Sequence, residues 1–305
     1  MEFGRLGKDE VDNVDFKLPP DSAFTKATLA ASKKLSKPMV YVGCAKWGRK
    51  EWVGQIYPKK TKDANFLDEY VKHFNGIELN ATHYKVYDSA SISKWAAKAA
   101  RKDFVFCPKV PQTISHYSNL ITPDVGPKTD KFLEGIMAFR EHLGPIFFQV
   151  SDRYSPASRN NLFTYLKSLP QDLQFFLELR HPEWFADKAI RNEWLETIQK
   201  LNIGAVITDA TGRRDCVHME LPVSKAFIRF VGNGLVPTDY SRVDSWIKRI
   251  KSWLDKGLNE LYFFMHQHDE RYSPKLCDYV IEQMNKHCGT ELKRIAFLDN
   301  PQLFD

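Results

Sequence analysis

The sequence predicts an α/β fold, a TIM-type (β/α)8 barrel preceded by an N-terminal extension. From Met39 onward, short apolar segments alternate with longer amphipathic ones, which is the pattern of a parallel sheet with crossover helices. The alternation runs over about 250 residues, the usual length of such a barrel. An open doubly wound sheet is the alternative, and it is less favoured because no dinucleotide-binding glycine motif follows the first strand.

The predicted strands are short and rich in β-branched and aromatic residues. They cover residues 39–43, 76–80, 104–109, 146–150, 173–179, 203–208, 225–231 and 260–265. Helical periodicity fills the intervals between them, at 62–74, 89–100, 128–143, 157–168, 187–201, 239–256 and 272–288. The segment 209–223 is too polar and glycine-broken for a helix, so one crossover is expected to be irregular.

The chain divides into an extension at 1–37 and a single barrel domain at 38–305. Pro19-Pro20 interrupts the chain, Asp21-Ser22 offers an N-cap, and 23–35 then predicts one helix. The N-terminus lacks the apolar core of a signal peptide, and no apolar run approaches the roughly 18–20 residues of a membrane span. We therefore expect a cytoplasmic protein without a membrane partner.

Composition indicates a globular protein with reduced thiols and a basic tendency. The formal net charge is +6, but the basic residues form no evident stripe, so nucleic-acid binding stays an alternative on charge alone. The five cysteines are scattered and include no C-x-x-C pair. This pattern argues against a disulfide framework or a zinc knuckle.

The polar residues that end the predicted strands are the candidate site, because the chemistry of such barrels lies at the C-terminal ends of the strands. Side chains alternate along a strand, so Glu78 and Asn80 should share one face, as should Glu178 and Arg180. Two carboxylates and two cations would then lie near the barrel axis. The candidate substrate-binding residues at these ends are Trp47, Glu78, Asn80, Lys109, His116, Gln149, Arg180, Asp209 and Arg229.

Glu178 and His181 are the candidate catalytic pair. A carboxylate can fix the tautomer of an imidazole, which titrates near neutral pH and can serve as general acid or base. Arg180, Lys109 and Arg229 would hold anionic groups of a small polar ligand. Glycines that follow the seventh strand could add backbone N–H donors to such a phosphate site.

Two other interpretations of the strand ends stay open. Glu178–Arg180 and Glu78–Lys109 could be structural ion pairs that close the barrel top. His266 and His268 could bind a divalent metal, with further ligands from Glu78, Glu178, Asp209, His83, His116 and His181. No H-E-x-x-H motif or paired-cysteine signature is present, so no cofactor is predicted.

The strand-end motifs also form an ordered set that resembles a known family. They are Gly43-Cys44-x-x-Trp47, Tyr57-Pro58, Glu78-Leu79-Asn80-Ala81-Thr82-His83-Tyr84, Lys109 with Ile114-Ser115-His116, Leu143-Gly144 with Gln149, Glu178-Leu179-Arg180-His181-Pro182-Glu183-Trp184, Asp209, and Arg229 with Gly232. Over residues 38–285 this set is similar to the YecE-like family, domain of unknown function 72. The resemblance implies a TIM-type barrel with these residues at one end, and it implies no particular activity or cofactor. Lys46, His83, Ser151-Asp152 and His266-Gln267 depart from the family pattern, which indicates a divergent member.

Three functions remain after this reasoning. The first is an enzyme of hydrolase or isomerase type that acts on a small polar ligand, phosphorylated or sugar-like. The alternative is a DNA- or RNA-binding protein that uses the cationic barrel mouth and its aromatic side chains. The third is a ligand-sensing or scaffold barrel without chemistry.

Overall fold

The computed structural model describes residues 3–99 and 103–298, and its centre is a nearly closed barrel of parallel strands. Position 100 of the predicted helix at 89–100, positions 1 and 2 of the extension, and positions 299–305 of the barrel domain lie outside the described residues. The predicted TIM-type (β/α)8 fold is confirmed.

The strands of the barrel coincide with the predicted segments to within a few residues. They are β1 (Met39–Cys44), β2 (Gly76–Leu79), β3 (Val105–Pro108), β4 (Ile146–Gln149), β5 (Phe175–Glu178), β6 (Gly204–Asp209), β7 (Lys225–Gly232) and β8 (Glu260–Gln267). They pair in the order β3-β2-β1-β8-β7-β6-β5-β4. Between β3 and β4 the barrel closes by two isolated bridges, Phe106 with Leu143 and Lys109 with Phe147.

Helices surround the barrel, and the longer ones lie in the predicted intervals, whereas the short helices at 8–11, 81–84, 112–115 and 183–186 were not predicted and the helix predicted at 62–74 covers only 66–70. The helices are α1 (Lys8–Val11), α2 (Ala23–Ala31), α3 (Phe66–Tyr70), α4 (Ala81–Tyr84), α5 (Ser89–Lys98), α6 (Gln112–Ser115), α7 (Val125–Ile136), α8 (Arg159–Ser168), α9 (Glu183–Ala186), α10 (Lys188–Lys200), α11 (Pro237–Lys256) and α12 (Ser273–Cys288). The helix predicted at 128–143 ends early, because a 3-10 segment follows it in which Arg140 has a φ of 52°. Among the described residues, no helix combines the length and apolarity that a membrane span requires.

An aromatic layer fills the N-terminal part of the lumen. It includes Phe147, Phe176, Phe227, Tyr262 and Phe264. Three of these rings have centroids 5.1 to 5.5 Å from that of Phe227, so side chains of neighbouring strands interdigitate on the axis. Lys109 and Arg229 place their charged ends 5.2 and 4.9 Å from the Phe147 ring centroid. The layer is therefore the floor on which the polar strand ends rest.

The crossover between β6 and β7 is irregular, as predicted. Residues 210–224 are all described, and their helical content is one 3-10 turn at Arg214–Cys216. A regular barrel would place a helix here, between α10 and α11, to cover the outer face of the sheet.

Helix α2 of the extension covers that position. Its Thr25 donates to the carbonyl of Met219 at 2.8 Å and accepts from the amide of Leu221 at 2.9 Å, both in the crossover. Gln199 of α10 donates to Thr28 at 3.2 Å, and α2 also packs against α11. The extension thus supplies, from before β1, the helix that the β6–β7 crossover lacks.

The β1–β2 contact generates a prediction, because Gly43 lies against the backbone of Gly76. A Cβ on Gly43 would be 1.9 Å from the Gly76 carbonyl oxygen and 2.8 Å from the Tyr70 hydroxyl. We expect Gly43→Ala to lower the free energy of unfolding by about 1–3 kcal/mol or more, as overpacking does. Urea denaturation measures it, with Gly48→Ala as control because a Cβ there has no heavy atom within 4 Å. Equal stability of the two variants would contradict the close approach.

Candidate functional site

A buried ionic network centred on Arg229 occupies the C-terminal end of the lumen. The guanidinium of Arg229 donates from Nε and Nη2 to the two oxygens of Glu78, each at 2.8 Å. Its Nη1 donates to the two oxygens of Glu178 at 3.0 and 3.2 Å. All three side chains are buried. One arginine therefore joins carboxylates from β2 and β5.

Glu178 has further donors that fix its charge. Arg180 Nε and the Thr208 hydroxyl each donate to Glu178 Oε1 at 2.8 Å. Burial alone would raise the pKa of Glu178, but Arg180 and Arg229 lower it to about 2. Glu178 is therefore ionised at neutral pH and already accepts hydrogen bonds from three side chains. Such a group stabilises positive charge and is poorly suited to accept a proton.

Glu78 is held in the same way on the other side of Arg229. His266 Nε2 lies 3.0 Å from Glu78 Oε2, and Asn80 Nδ2 donates to Glu78 Oε1 at 2.8 Å. Burial raises the pKa of Glu78, but Arg229 and then His266 hold it well below its ordinary value. Both carboxylates of the network are thus ionised and paired.

Lys109, at the end of β3, is the charged residue of this group without an ionic partner. Its Nζ donates to Gln149 Oε1 at 2.8 Å, and among the described residues no carboxylate lies within 4 Å of it. The side chain is only 7% exposed. Burial and then the charge of Arg229 lower the pKa of Lys109 to about 7. Lys109 therefore titrates near neutral pH, which an ordinary lysine does not.

Two histidines lie beside Lys109 at the C-terminal opening of the barrel, the mouth. His116 Nε2 lies 3.5 Å from Gln149 Nε2, and the ring centroids of His83 and His116 are 4.9 Å apart. Burial and then the charge of Lys109 lower the pKa of His83 to about 3 and that of His116 to about 4. Both imidazoles are neutral at physiological pH and offer hydrogen bonds rather than charge.

The N-terminal extension reaches the mouth through Phe3. Its ring centroid is 3.9 Å from the guanidinium carbon of Arg180 and 4.8 Å from that of Arg213. Gly212 donates its amide to the carbonyl of Gly4 at 2.8 Å, which fixes the segment there. An aromatic side chain of the chain itself thus covers the face of Arg180.

Three of the predicted site residues, His181, Trp47 and Asp209, lie apart from the network. His181 Nδ1 accepts from the amide of Glu183 at 3.4 Å, and the structure shows no hydrogen bond between His181 and Glu178. Trp47 packs edge-on against Trp95 at a centroid distance of 5.2 Å, within the aromatic packing outside the barrel. The structure does not bring either of these two side chains into contact with the ionic network.

Asp209 lies on the opposite face of β6 from the lumen. Its neighbour Thr208 reaches Glu178, so alternation turns Asp209 outward. There it accepts from Arg242 Nη2 at 2.7 Å, from Trp246 Nε1 at 2.6 Å, and from Arg214. These contacts anchor α11 and the β6–β7 crossover to the sheet, which is a structural role.

The sequence predicts which strand side chains face the lumen, but it does not predict that Lys109 is the residue that titrates near neutral pH. Thr208 and His266 each lie two positions after a luminal residue on the same strand. Alternation along the strand therefore predicts that both side chains face the lumen. No sequence signal marks Lys109 as a group that titrates near neutral pH, since this property depends on burial and on Arg229. Within the described residues, no cluster of three or more His, Cys, Asp or Glu side chains is placed to hold a metal ion.

Comparison with known sequences identifies relatives over the barrel. A family model described as "Protein of unknown function DUF72" matches residues 41–296. The UPF0759 protein YecE of Escherichia coli is 25% identical over 266 residues, which cover 81% of this chain and 93% of YecE. The UPF0759 protein YunF of Bacillus subtilis is 27% identical over 158 residues, 48% of this chain and 53% of YunF.

Solved structures agree with the fold. A DUF72 family protein (EF0366) from Enterococcus faecalis superposes with a TM-score of 0.64 at 15% identity, over 82% of this chain and 98% of that one. A DUF72 family protein (TM1631) from Thermotoga maritima superposes with a TM-score of 0.62 at 21% identity, over 81% and 99% of the two chains. The similarity predicted from the strand-end motifs is confirmed across the barrel.

The ionic network predicts a large loss of stability when Arg229 is removed. Arg229→Met leaves Glu78 and Glu178 buried without their shared cation, which should cost about 3–5 kcal/mol in urea denaturation. The exposed pair of Arg159 with Glu193 is the control, and Arg159→Met should cost at most about 1 kcal/mol. Adding Glu78→Gln and Glu178→Gln to Arg229→Met should restore part of the loss, and no recovery would contradict the charge argument.

The depressed pKa of Lys109 predicts a pH-dependent gain of stability in Lys109→Met. Between pH 7 and 10.5 the unfolded chain binds a proton that the folded chain does not, so stability of the wild type rises with pH across that window. At pH 6 the variant should be more stable by an amount on the order of 3–5 kcal/mol, and the difference should vanish towards pH 10.5. Denaturation at several pH values measures this, and Lys72→Met is the exposed control. A difference that does not change with pH would be the contrary result.

Proposed function

The chain belongs to the DUF72 family, and from that premise we propose that its barrel binds a small polar ligand with an anionic group and that Lys109 transfers a proton in the bound ligand. The supporting observation is the buried Lys109 Nζ, whose hydrogen bond to Gln149 Oε1 leaves two N–H donors for a ligand. A buried ammonium destabilises the fold unless it is paired. A bound anion would provide that pair.

The position of the anion follows from which cations are already engaged. Arg229 uses Nε, Nη1 and Nη2 on the two carboxylates, so it has little capacity left for a ligand. Lys109 and Arg180 lie nearer the mouth, but Arg180 uses Nε on Glu178 and places Nη1 3.5 Å from Asp152. A phosphate or carboxylate beside Lys109 would therefore take its charge-assisted hydrogen bonds mainly from Lys109 Nζ. Asn80 and His116, both half-buried, would bind the uncharged oxygens.

Lys109 is the acid–base group that the geometry favours, in place of the Glu178–His181 pair expected from the sequence. In its neutral form Nζ has a lone pair that can take a proton from a ligand O–H or C–H, and the resulting ammonium can return it to another ligand atom. A pKa of about 7 gives both forms at neutral pH. This proton movement suits an isomerase or a hydrolase.

Ligand binding is tested by thermal shift of the purified chain with inorganic phosphate and a panel of triose and hexose phosphates. A ligand at about 100-fold over its Kd should stabilise the wild type by about 2.7 kcal/mol, a shift of a few degrees. The shift should be lost in Lys109→Met, kept in Lys72→Met, and larger at pH 6 than at pH 8 because Lys109 is then charged. The same shift in Lys109→Met, or no shift with any of these anions, would reject the site.

Proton transfer needs a second measurement on whichever sugar phosphate binds. Phosphorus and proton NMR would follow its isomerisation or hydrolysis, which the wild type should catalyse and Lys109→Met should not. Binding without conversion would indicate a ligand-sensing barrel and would refute the proton-transfer step.

A further inference from the structure

We propose that the anion at Lys109 is a phosphate of a single-stranded nucleic acid, whose bases stack on an aromatic rim formed by Tyr84, His116 and Tyr117. The inference rests on the proposed function, because it takes the same anion position and identifies the anionic ligand there as one nucleotide unit of a strand. It is carried by the exposure of the rim, its contact with the cationic site, and the aromatic ring that already covers Arg180.

The two tyrosines of the rim are far more exposed than aromatic side chains of a folded protein usually are. Tyr84 is 70% exposed and Tyr117 is 73% exposed. Tyr84 ends the short helix α4 after β2, and Tyr117 follows the short helix α6 after β3. Both therefore lie at the C-terminal end of the barrel, on neighbouring loops beside the mouth.

The rim is continuous with Lys109 through direct contacts. The ring centroid of Tyr84 is 5.2 Å from that of His83, which in turn is 4.9 Å from that of His116. His116 then reaches Gln149, the hydrogen-bond partner of Lys109. The low pKa of His116 keeps its half-buried ring neutral, so it serves for stacking and hydrogen bonding beside the cation, while the buried His83 ring supports Tyr84 from behind.

Arg180 already shows that an aromatic ring fits the mouth. The ring of Phe3 lies over its guanidinium at 3.9 Å, in the geometry that a nucleobase adopts on arginine. A base entering the mouth would replace Phe3 on this face and retain the cation–π contact.

The open position of the rim favours a strand over a free nucleotide. Tyr84 and Tyr117 face solvent, so each ring offers an open stacking face to a base that need not be enclosed. Stacking positions on two separate loops, together with the Arg180 face, suit successive bases of one chain. The net charge of +6 adds long-range attraction for a polyanion.

The test is fluorescence anisotropy of a labelled oligo(dT) of about eight nucleotides at about 50 mM salt. Tyr84→Ala and Tyr117→Ala should each weaken binding about 5- to 150-fold, the range of one base stack. Tyr84→Phe and Tyr117→Phe should bind as the wild type does, and Met137→Ala, an exposed apolar residue that precedes β4, should have no effect. The logarithm of the association constant should fall linearly with the logarithm of the salt concentration, with a slope of roughly −0.7 for each phosphate bound.

Three results would overturn the inference: no binding at low salt, equal affinity of the Tyr→Ala variants and the wild type, or competition by thymidine monophosphate as strong as that of the unlabelled strand. If one of these occurs while the phosphate-induced thermal shift is still lost in Lys109→Met, the proposed anion site stands and only the nucleic acid is excluded. Strand binding that depends on the tyrosines but is unchanged in Lys109→Met would place the phosphates elsewhere and also overturn the inference, and the thermal shift alone then decides the anion site at Lys109.

Discussion

Arg229 holds the C-terminal half of the barrel together by binding two carboxylates that face it from opposite strands. Glu78 of β2 and Glu178 of β5 are buried and ionised, and the shared cation between them offsets the cost of burying both charges. The arginine stands on the aromatic floor and uses three of its nitrogens on these partners. Because Arg229 and Arg180 satisfy the buried carboxylates, Lys109 is left without an ionic partner. The proposed chemistry of the mouth depends on this one buried cation, which has no carboxylate partner within the described part of the chain.

The sequence was sufficient to predict the strands and their faces, because period-two alternation is a local property. It correctly placed Glu178 beside Arg180, whose Nε lies 2.8 Å from Glu178 Oε1. It was wrong in pairing Glu78 with Lys109, since Glu78 binds Arg229 instead. Glu78 and Arg229 are 151 positions apart, and their contact depends on the stagger and tilt of the closed barrel. A pattern read along one strand contains no information about that geometry.

The sequence did not predict how the loops and the extension pack, for a related reason. The N-cap of α2 could be predicted from Ser22, which accepts from the amide of Thr25, but its docking site between α10 and α11 could not. His181 is one residue beyond Arg180 and turns towards Glu183, because the chain leaves the strand there and alternation ends. Side-chain direction outside regular strands is set by tertiary contacts that no periodicity encodes.

The stack of Phe3 on Arg180 makes the chain a competitor for its own site. Any ligand that needs the face of Arg180 must first lift Phe3, so its apparent Kd equals the intrinsic Kd divided by the fraction of molecules with the mouth uncovered. Because Phe3 is tethered, this competition does not weaken on dilution. Affinity for the ligand is thus set partly by a residue that never touches it, and a change at position 3 would tune occupancy while the charged network stays the same.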